Sequence, residues 1–214
     1  MWVGEDIMAS DQAHWDAVYA ARDEDALTWF EATPDLSLQM IHAYLMPADA
    51  ILDVGAGASR LVDALLADGY GDVTVLDLSD AALAISRDRL GARAASVHWI
   101  AADITTWHPD RQVSLWHDRA VFHFLTTGED RAAYVAAMRT AVKPGGYAII
   151  SSFALDGPET CSSLPVQRYA PETLAATLEA LAPGQFRLVE SRPHVHVTPK
   201  GNQQSFQISV FQRM

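Results

Sequence analysis

The chain is poor in cysteine and in positive charge. It has one cysteine in 214 residues, Cys161. That excludes an internal disulfide and any zinc site built from several thiolates. Lys and Arg number 15 against 27 Asp and Glu, a formal charge of −12. Proteins that grip nucleic-acid phosphates or anionic lipid do so with Lys and Arg, so this balance argues against both partners. No stretch of about 18 residues is apolar enough to span a bilayer. The opening MWVGEDIMASDQ lacks the basic segment and apolar core of a secretory signal. Repeats, low-complexity tracts and Gly/Ser linkers are also missing. What remains is half apolar and one-fifth charged, an ordinary globular mixture at a one-domain length. The expectation is an acidic, soluble, cytoplasmic protein.

From residue 50 onward, strand-like and helix-like segments alternate. AILDV at 50–54 ends beside Gly55 and Gly57, and a helix with Leu61, Leu65 and Leu66 on one face closes before Gly69. DVTVLD at 72–77 is followed by Ser79, a suitable N-cap for a helix carrying Leu83 and Leu90, with Gly91 just past its end. Further strands read at 97–103 and 112–118. A helix with Tyr134, Met138 and Val142 stops at Pro144-Gly145-Gly146, before a strand at 147–153. Apolar strands alternating with amphipathic helices define an α/β fold, a mostly parallel sheet with helices on both faces. The last quarter differs. Pro171 opens a helix with a Leu174, Leu178, Leu181 stripe, and segments 186–198 and 204–214 flank a turn at 199–202. Phe206, Ile208 and Val210 alternate with Gln207, Ser209 and Phe211, as in an antiparallel hairpin.

In open α/β sheets ligands bind beyond the carboxyl ends of the strands, where strand order reverses. Those ends carry Asp53, Asp77, Asp103 and Asp118. Gly55 and Gly57 permit a tight turn and close approach to a ligand. A dinucleotide fingerprint needs a third glycine at position 60, which is Arg60. A ligand with a ribose but no pyrophosphate fits better. Asp77 can accept from vicinal ribose hydroxyls, and Asp103 from an adenine amino group with Ile104 beside the ring.

Asp53-Val54-Gly55-Ala56-Gly57, then Asp77-Leu78 and Asp103-Ile104, resemble the motifs of class I S-adenosylmethionine (SAM)-dependent methyltransferases in order and spacing. The resemblance implies a Rossmann-like, seven-stranded sheet whose terminal hairpin is antiparallel. It also implies SAM as cofactor, with Asp118 among the residues around it. Ala56 stands where many relatives carry cysteine. His14-Trp15-Asp16, Tyr19 and Thr28-Trp29-Phe30 resemble the cofactor lid of small protein-lysine methyltransferases, which places Tyr19 and Trp29 over the methionine end or the sulfonium. Aromatic faces attract such a cation. The stretch Trp116 to Phe124, with Asp130-Arg131, Tyr134 and Gly157-Pro158, resembles thiopurine and related thiol methyltransferases. Glu159 stands where those relatives often have a second proline, and Arg119-Ala120 where the lysine group tends to have Lys-Gly. The implied division is lid helices at 1–45, a SAM-binding core at 50–154, a substrate lid at 155–170, and a helix with hairpin at 171–214.

On the acceptor side, Asp118 is the candidate base, with His123 as a second. Arg119, Arg168, Tyr169 and His196 are candidate substrate contacts, Arg168 as a carboxylate clamp. Cys161 carries no mark of a low-pKa nucleophile. His194 and His196 share a strand face. Even with Cys161 and His117 their spacing matches no metal signature, so no metal is expected. Gln203 and Gln204 are further polar candidates. The expected reaction is methyl transfer by in-line displacement to a small-molecule acceptor such as a thiol. The alternatives are a protein lysine N-methyltransferase and a cofactor-binding subunit that partners a catalytic chain.

Overall fold

The computed structural model describes residues 12–214; the segment read for a secretory signal lies almost wholly outside the described residues. Helices α1 (Gln12–Ala20) and α2 (Asp35–Tyr44) precede the first strand, β1 (Ile51–Val54). The chain then alternates through α3 (Leu61–Ala67), β2 (Val73–Asp77), α4 (Asp80–Leu90), β3 (Val97–Ala101) and β4 (Val113–Arg119). It continues with α5 (Gly128–Ala141), β5 (Val142–Phe153), β6 (Thr160–Cys161) and β7 (Leu164–Pro165). Helix α6 (Pro171–Leu181) and the long strands β8 (Phe186–Val197) and β9 (Gln203–Arg213) complete it.

Seven strands form one sheet in the order β3-β2-β1-β4-β5-β9-β8. The first five are mutually parallel, and β9 runs antiparallel to both β5 and β8. This is the Rossmann-like sheet with a reversed terminal hairpin that the sequence implied. Strand order reverses between β1 and β4, so Asp53 and Asp118 end neighbouring strands at the switch point.

The helices on one face bury Met40, Ile41, Leu61, Leu65 and Leu83 against Ile51, Val75, Leu115 and Ile149. The opposite face packs Tyr134, Met138, Leu174 and Leu178 on Leu52, Trp116, Ile150 and Phe211. Helices α3, α4 and α5 cover the crossovers they form, but residues 102–112, between β3 and β4, contain none. No helix among the described residues is long and apolar enough to cross a membrane.

Two boundaries differ from the sequence expectation. Strand β3 ends at Ala101, because Asp103 turns the chain by accepting from the Thr105 backbone N–H (2.8 Å) and hydroxyl (2.7 Å). Strand β5 starts at Val142, and Pro144-Gly145-Gly146 forms an irregularity within it, with a register shift opposite Val113 and Leu115. A Cβ on Gly146 would lie 2.8 Å from the Ser114 carbonyl, so the close approach of the two strands there requires glycine.

Beneath the switch point the Trp116 indole donates to the Tyr134 hydroxyl (2.7 Å), which donates to Asp118 (2.6 Å). All three side chains are fully buried. Tyr134→Phe leaves an indole N–H and a carboxylate oxygen short of a partner. It is expected to lower unfolding free energy by about 1–3 kcal/mol, read as a urea midpoint shift at unchanged slope.

Candidate active site

The carboxyl ends of β1, β2, β3 and β4 open into a cavity of about 550 Å³. Tyr19, Trp29, Gly55, Asp77, Leu78, Asp103, Ile104 and Arg119, drawn from six separate stretches of sequence, all line it. Asp77 is buried, and its two oxygens accept from the backbone N–H groups of Gly57 (2.7 Å) and Ser79 (2.8 Å). Each oxygen keeps a further lone pair. Burial pushes this carboxyl up to about 6, against the opposing effect of those two hydrogen bonds. Ser79 caps α4 through Ala82, so the strand end and helix start that hold Asp77 form one bonded unit.

The glycine turn lets other chain segments approach. At Gly55 a Cβ would sit 1.9 Å from Val121, and at Gly57 2.1 Å from the Tyr19 hydroxyl; both residues have positive φ. Glycine is therefore required twice over. Tyr19 and Trp29 meet edge to face at 6.1 Å, and Trp15 joins Trp29 at 6.1 Å and Phe124 at 5.2 Å. These rings do two jobs. They wall the cavity and also anchor α1 against Ala58 and Ala82.

Beside Gly55 a cleft of about 50 Å³ continues from the main cavity, sharing Trp29, Gly55 and Arg119 with it. Asp53 and Ala56 line this cleft. Asp53 Oδ1 lies 2.7 Å from His117 Nδ1, and His117 Nε2 lies 3.0 Å from the Ser37 hydroxyl. Asp53 Oδ2 is buried without a partner. An unpaired carboxylate oxygen away from water is costly, and a cationic ligand group would offset that cost. Arg119 closes the cleft on the other side, donating to the Trp29 carbonyl and to Glu31, each at 2.9 Å.

Several expected substrate contacts lie elsewhere. Asp118 is fully buried and does not line the cavity. Its oxygens accept from Val121 N (2.7 Å), Phe122 N (3.0 Å) and Tyr134, so it is not available as a base at the acceptor. Burial pushes its carboxyl up to about 6 in spite of those bonds. His123 is equally buried, stacks 4.7 Å from Phe153 and accepts from the Phe153 backbone. Burial pushes its imidazole down to about 3, and it has no place on the cavity wall. Arg168 donates to Glu159 (2.9 Å) and the Gly157 carbonyl (3.1 Å), away from the cavity. Tyr169 packs in the core at 5.5 Å from Phe122.

His196 is buried behind the lid, with Nε2 donating to the Thr28 carbonyl at 2.8 Å. Glu31, His194 and His196 bring one donor atom each within 4.8 Å of one another. The Arg119 guanidinium, 3.5 Å from His196 Nδ1, already supplies a cation to this group. Burial pushes the Glu31 carboxyl up, but the His196 hydrogen bond and the charges of Arg119, His196 and His194 together hold it below the usual range. Gln203 and Gln204 do not line the cavity.

The 155–170 segment read as a substrate lid does reach the cavity, but through residues other than Arg168 and Tyr169. Cys161, Ser163, Leu164 and Pro165 of the β6–β7 hairpin line it, with Ala120, Val121, Phe124 and Asp130 opposite. Burial pushes the Cys161 thiol up to about 12. Among the described residues, the non-glycine ones with positive φ are Ala120, Ser162 and Ser163, all at this wall or beside it. One signal for Ala120 was legible, the glycine that protein-lysine methyltransferases tend to carry there.

Fold and site together have the form of a class I SAM-dependent methyltransferase, with likeness to several families and to no single one of them. Residues 51–146 match the family model described as a methyltransferase domain. The eEF1A lysine and N-terminal methyltransferase of Bos taurus is 22% identical over 189 residues, covering 84% of this chain and 26% of that protein. The chain spans about a quarter or less of such curated relatives. Among solved structures, one described as converting a disulfide bond into a thioacetal group during echinomycin biosynthesis superposes with a TM-score of 0.70. It is 22% identical, with 95% of this chain and 93% of that one covered. The N-methyltransferase NodS of Bradyrhizobium japonicum, in complex with S-adenosylhomocysteine, gives 0.69 at 16% identity, with coverage of 94% and 98%.

The residues present suit the cofactor of this class. The double-glycine turn gives close approach, Asp77 and Asp103 stand as acceptors on the cavity wall, and the orphaned Asp53 oxygen faces a cleft beside the turn. The ionised Asp77 is the form that accepts hydroxyl donors. SAM affinity is therefore expected to weaken as pH falls from 7.5 to 5, through the Asp77 value of about 6. In calorimetric titrations Asp77→Asn should bind weakly at every pH and lose that pH dependence.

Proposed function

We propose that the chain transfers a methyl group from SAM to an amine nitrogen, with a protein lysine side chain as the leading acceptor. The observation that carries this reading is the acceptor wall, with Trp15, Trp29, Phe124, Leu164 and Pro165 around one deactivated thiol and one carboxylate, Asp130. Aromatic faces and a carboxylate attract an alkylammonium, and Asp130 offers an acceptor for the proton the amine must lose before it attacks. The bovine relative, named for lysine and N-terminal methylation, supports the same acceptor chemistry.

In this reading Asp77 holds the ribose hydroxyls, Leu78, Asp103 and Ile104 hold the adenine, and Asp53 with Arg119 holds the two charges of the methionine tail. SAM, when bound, supplies an electrophilic methyl carbon on a sulfonium. Tyr19 and Trp29 offer ring faces to that cation. The β6–β7 hairpin excludes water and aligns the nucleophile for in-line displacement. Asp118 acts as a positioning residue, holding the turn that carries Arg119 and Val121. A small-molecule thiol, the expectation from the thiopurine-like stretch, carries no cation for this wall to hold, and Arg119, a guanidinium engaged with Trp29 and Glu31, cannot act as a base toward it.

The test is incubation with methyl-labelled SAM and three acceptor sets: lysate proteins, small amines and small thiols. Label in protein, recovered after hydrolysis as methyl-lysine, is the expected result. Label confined to small amines overturns the protein acceptor, and label confined to thiols overturns the amine. Asp77→Ala should abolish incorporation in all three.

A further inference from the structure

The crossover that lacks a helix leaves part of the sheet uncovered on one side. Helices α5 and α6 cover the strands from β4 outward on that face, but over β1, β2 and β3 only residues 102–112 lie across it. Beneath them is a second cavity of about 230 Å³, separate from the cofactor cavity in all its lining residues. Leu52, Thr74 and Ile100 line it from three adjacent strands, with Trp107 and Arg111 from the crossover; the Trp99 indole packs on the other face of the sheet, donating to the Ala94 carbonyl at 2.9 Å.

Thr74 marks this cavity as more than a packing fault. It lies in register between Leu52 and His98, in the interior of the parallel sheet, and is only 3% exposed. Its hydroxyl is buried with no hydrogen-bond partner. Buried hydroxyls are rarely left unpaired, because each costs roughly 1–3 kcal/mol of lost hydration. Here the unpaired group lines a cavity that also holds the Trp107 indole. A flat ring laid on that indole gains stacking contact, and one polar atom on the ring would satisfy Thr74, which both donates and accepts. The volume falls below that of a typical site for a drug-sized molecule, so the fitting ligand is small.

The cavity also connects with the cofactor cavity through one turn. Asp103 and Ile104 line the cofactor cavity, and Trp107 lines the second one. The Asp103 carbonyl accepts from Trp107 N at 2.8 Å and from Thr106 N at 3.1 Å, so both walls share one hydrogen-bonded unit.

We propose that this cavity is a second ligand site, for a small planar aromatic or heteroaromatic molecule with one hydrogen-bonding group, and that its occupant alters cofactor affinity through the 103–107 turn. The binding half stands without the proposed function; only the coupling half rests on it. The test uses indole as probe, titrated with and without excess S-adenosylhomocysteine. Two-dimensional NMR follows the indole N–H signal of Trp107, with that of Trp99 on the other sheet face as the internal reference, both assigned by Trp→Phe substitution. A saturable shift at Trp107, larger than any at Trp99, is expected under both conditions. Thr74→Val should weaken binding roughly threefold to tenfold, as loss of one hydrogen bond implies. Thr74→Ser, which keeps the hydroxyl, should retain it. Shifts that do not saturate, shifts unchanged in Thr74→Val, or shifts confined to Trp15 and Trp29 overturn the site. Saturating indole should change the dissociation constant of SAM by about threefold or more, and SAM should change that of indole by the same factor. An unchanged constant overturns the coupling. Failure of SAM to bind at all overturns the proposed function and leaves the indole result standing.

Discussion

The active-site wall depends on a buried carboxylate that never touches the cavity. Asp118 ends β4 at the switch point and accepts from two backbone N–H groups and from Tyr134. Those bonds force the chain through Ala120 at a φ of 74° and bring Val121 onto Gly55. A left-handed alanine is strained by about 1–2 kcal/mol, and three hydrogen bonds to one carboxylate outweigh that. Arg119 is thereby fixed between the Trp29 carbonyl and Glu31. One hub at the end of a central strand thus sets the cavity floor, the Arg119 cation beside it and the anchor of the lid.

Around that hub, polar groups are placed by backbone bonding and apolar groups by packing. Asp77 and Asp103 are each held by the N–H group two residues on, so their oxygens are aimed before any ligand arrives. Such preorganisation reduces the ordering that binding would otherwise require. Trp15, Tyr19 and Trp29 belong both to the cavity wall and to the cluster that docks α1. Their packing and ligand roles are therefore one role, since a ring wedged against Ala58 and Ala82 also presents a face to the cavity.

Much of the architecture was legible because its signals are local. Apolar runs of strand length, Ser79 ahead of a helix, and the alternation at Phe206, Ile208 and Val210 each follow from neighbours in sequence. That the strand-end acids Asp77 and Asp103 line one cavity was legible for the same reason. Parallel strands place their carboxyl ends on one edge, so Asp77 and Asp103 face one region wherever the helices pack. The acceptor side was not legible, because its residues are sorted by tertiary packing. Arg168 and Tyr169 sit beside Cys161 and Leu164 in sequence, yet the first pair turns to Glu159 and Phe122 while the second lines the cavity. Nothing in the local pattern separates them.

By itself, then, the sequence determined the sheet, its reversed hairpin, the glycine turn and the row of strand-end acids, all products of periodicity and backbone geometry. Only the tertiary structure decided which acids face a ligand. Asp77 and Asp118 have the same residue type, the same strand-end position and the same upward push from burial. One lies at a wall and keeps lone pairs for a partner. The other is enclosed by Tyr134 and the 121–122 backbone and has spent its own on the fold. The physical reason is that a carboxylate's role is set by which donors reach it first, and that depends on segments far away in the chain.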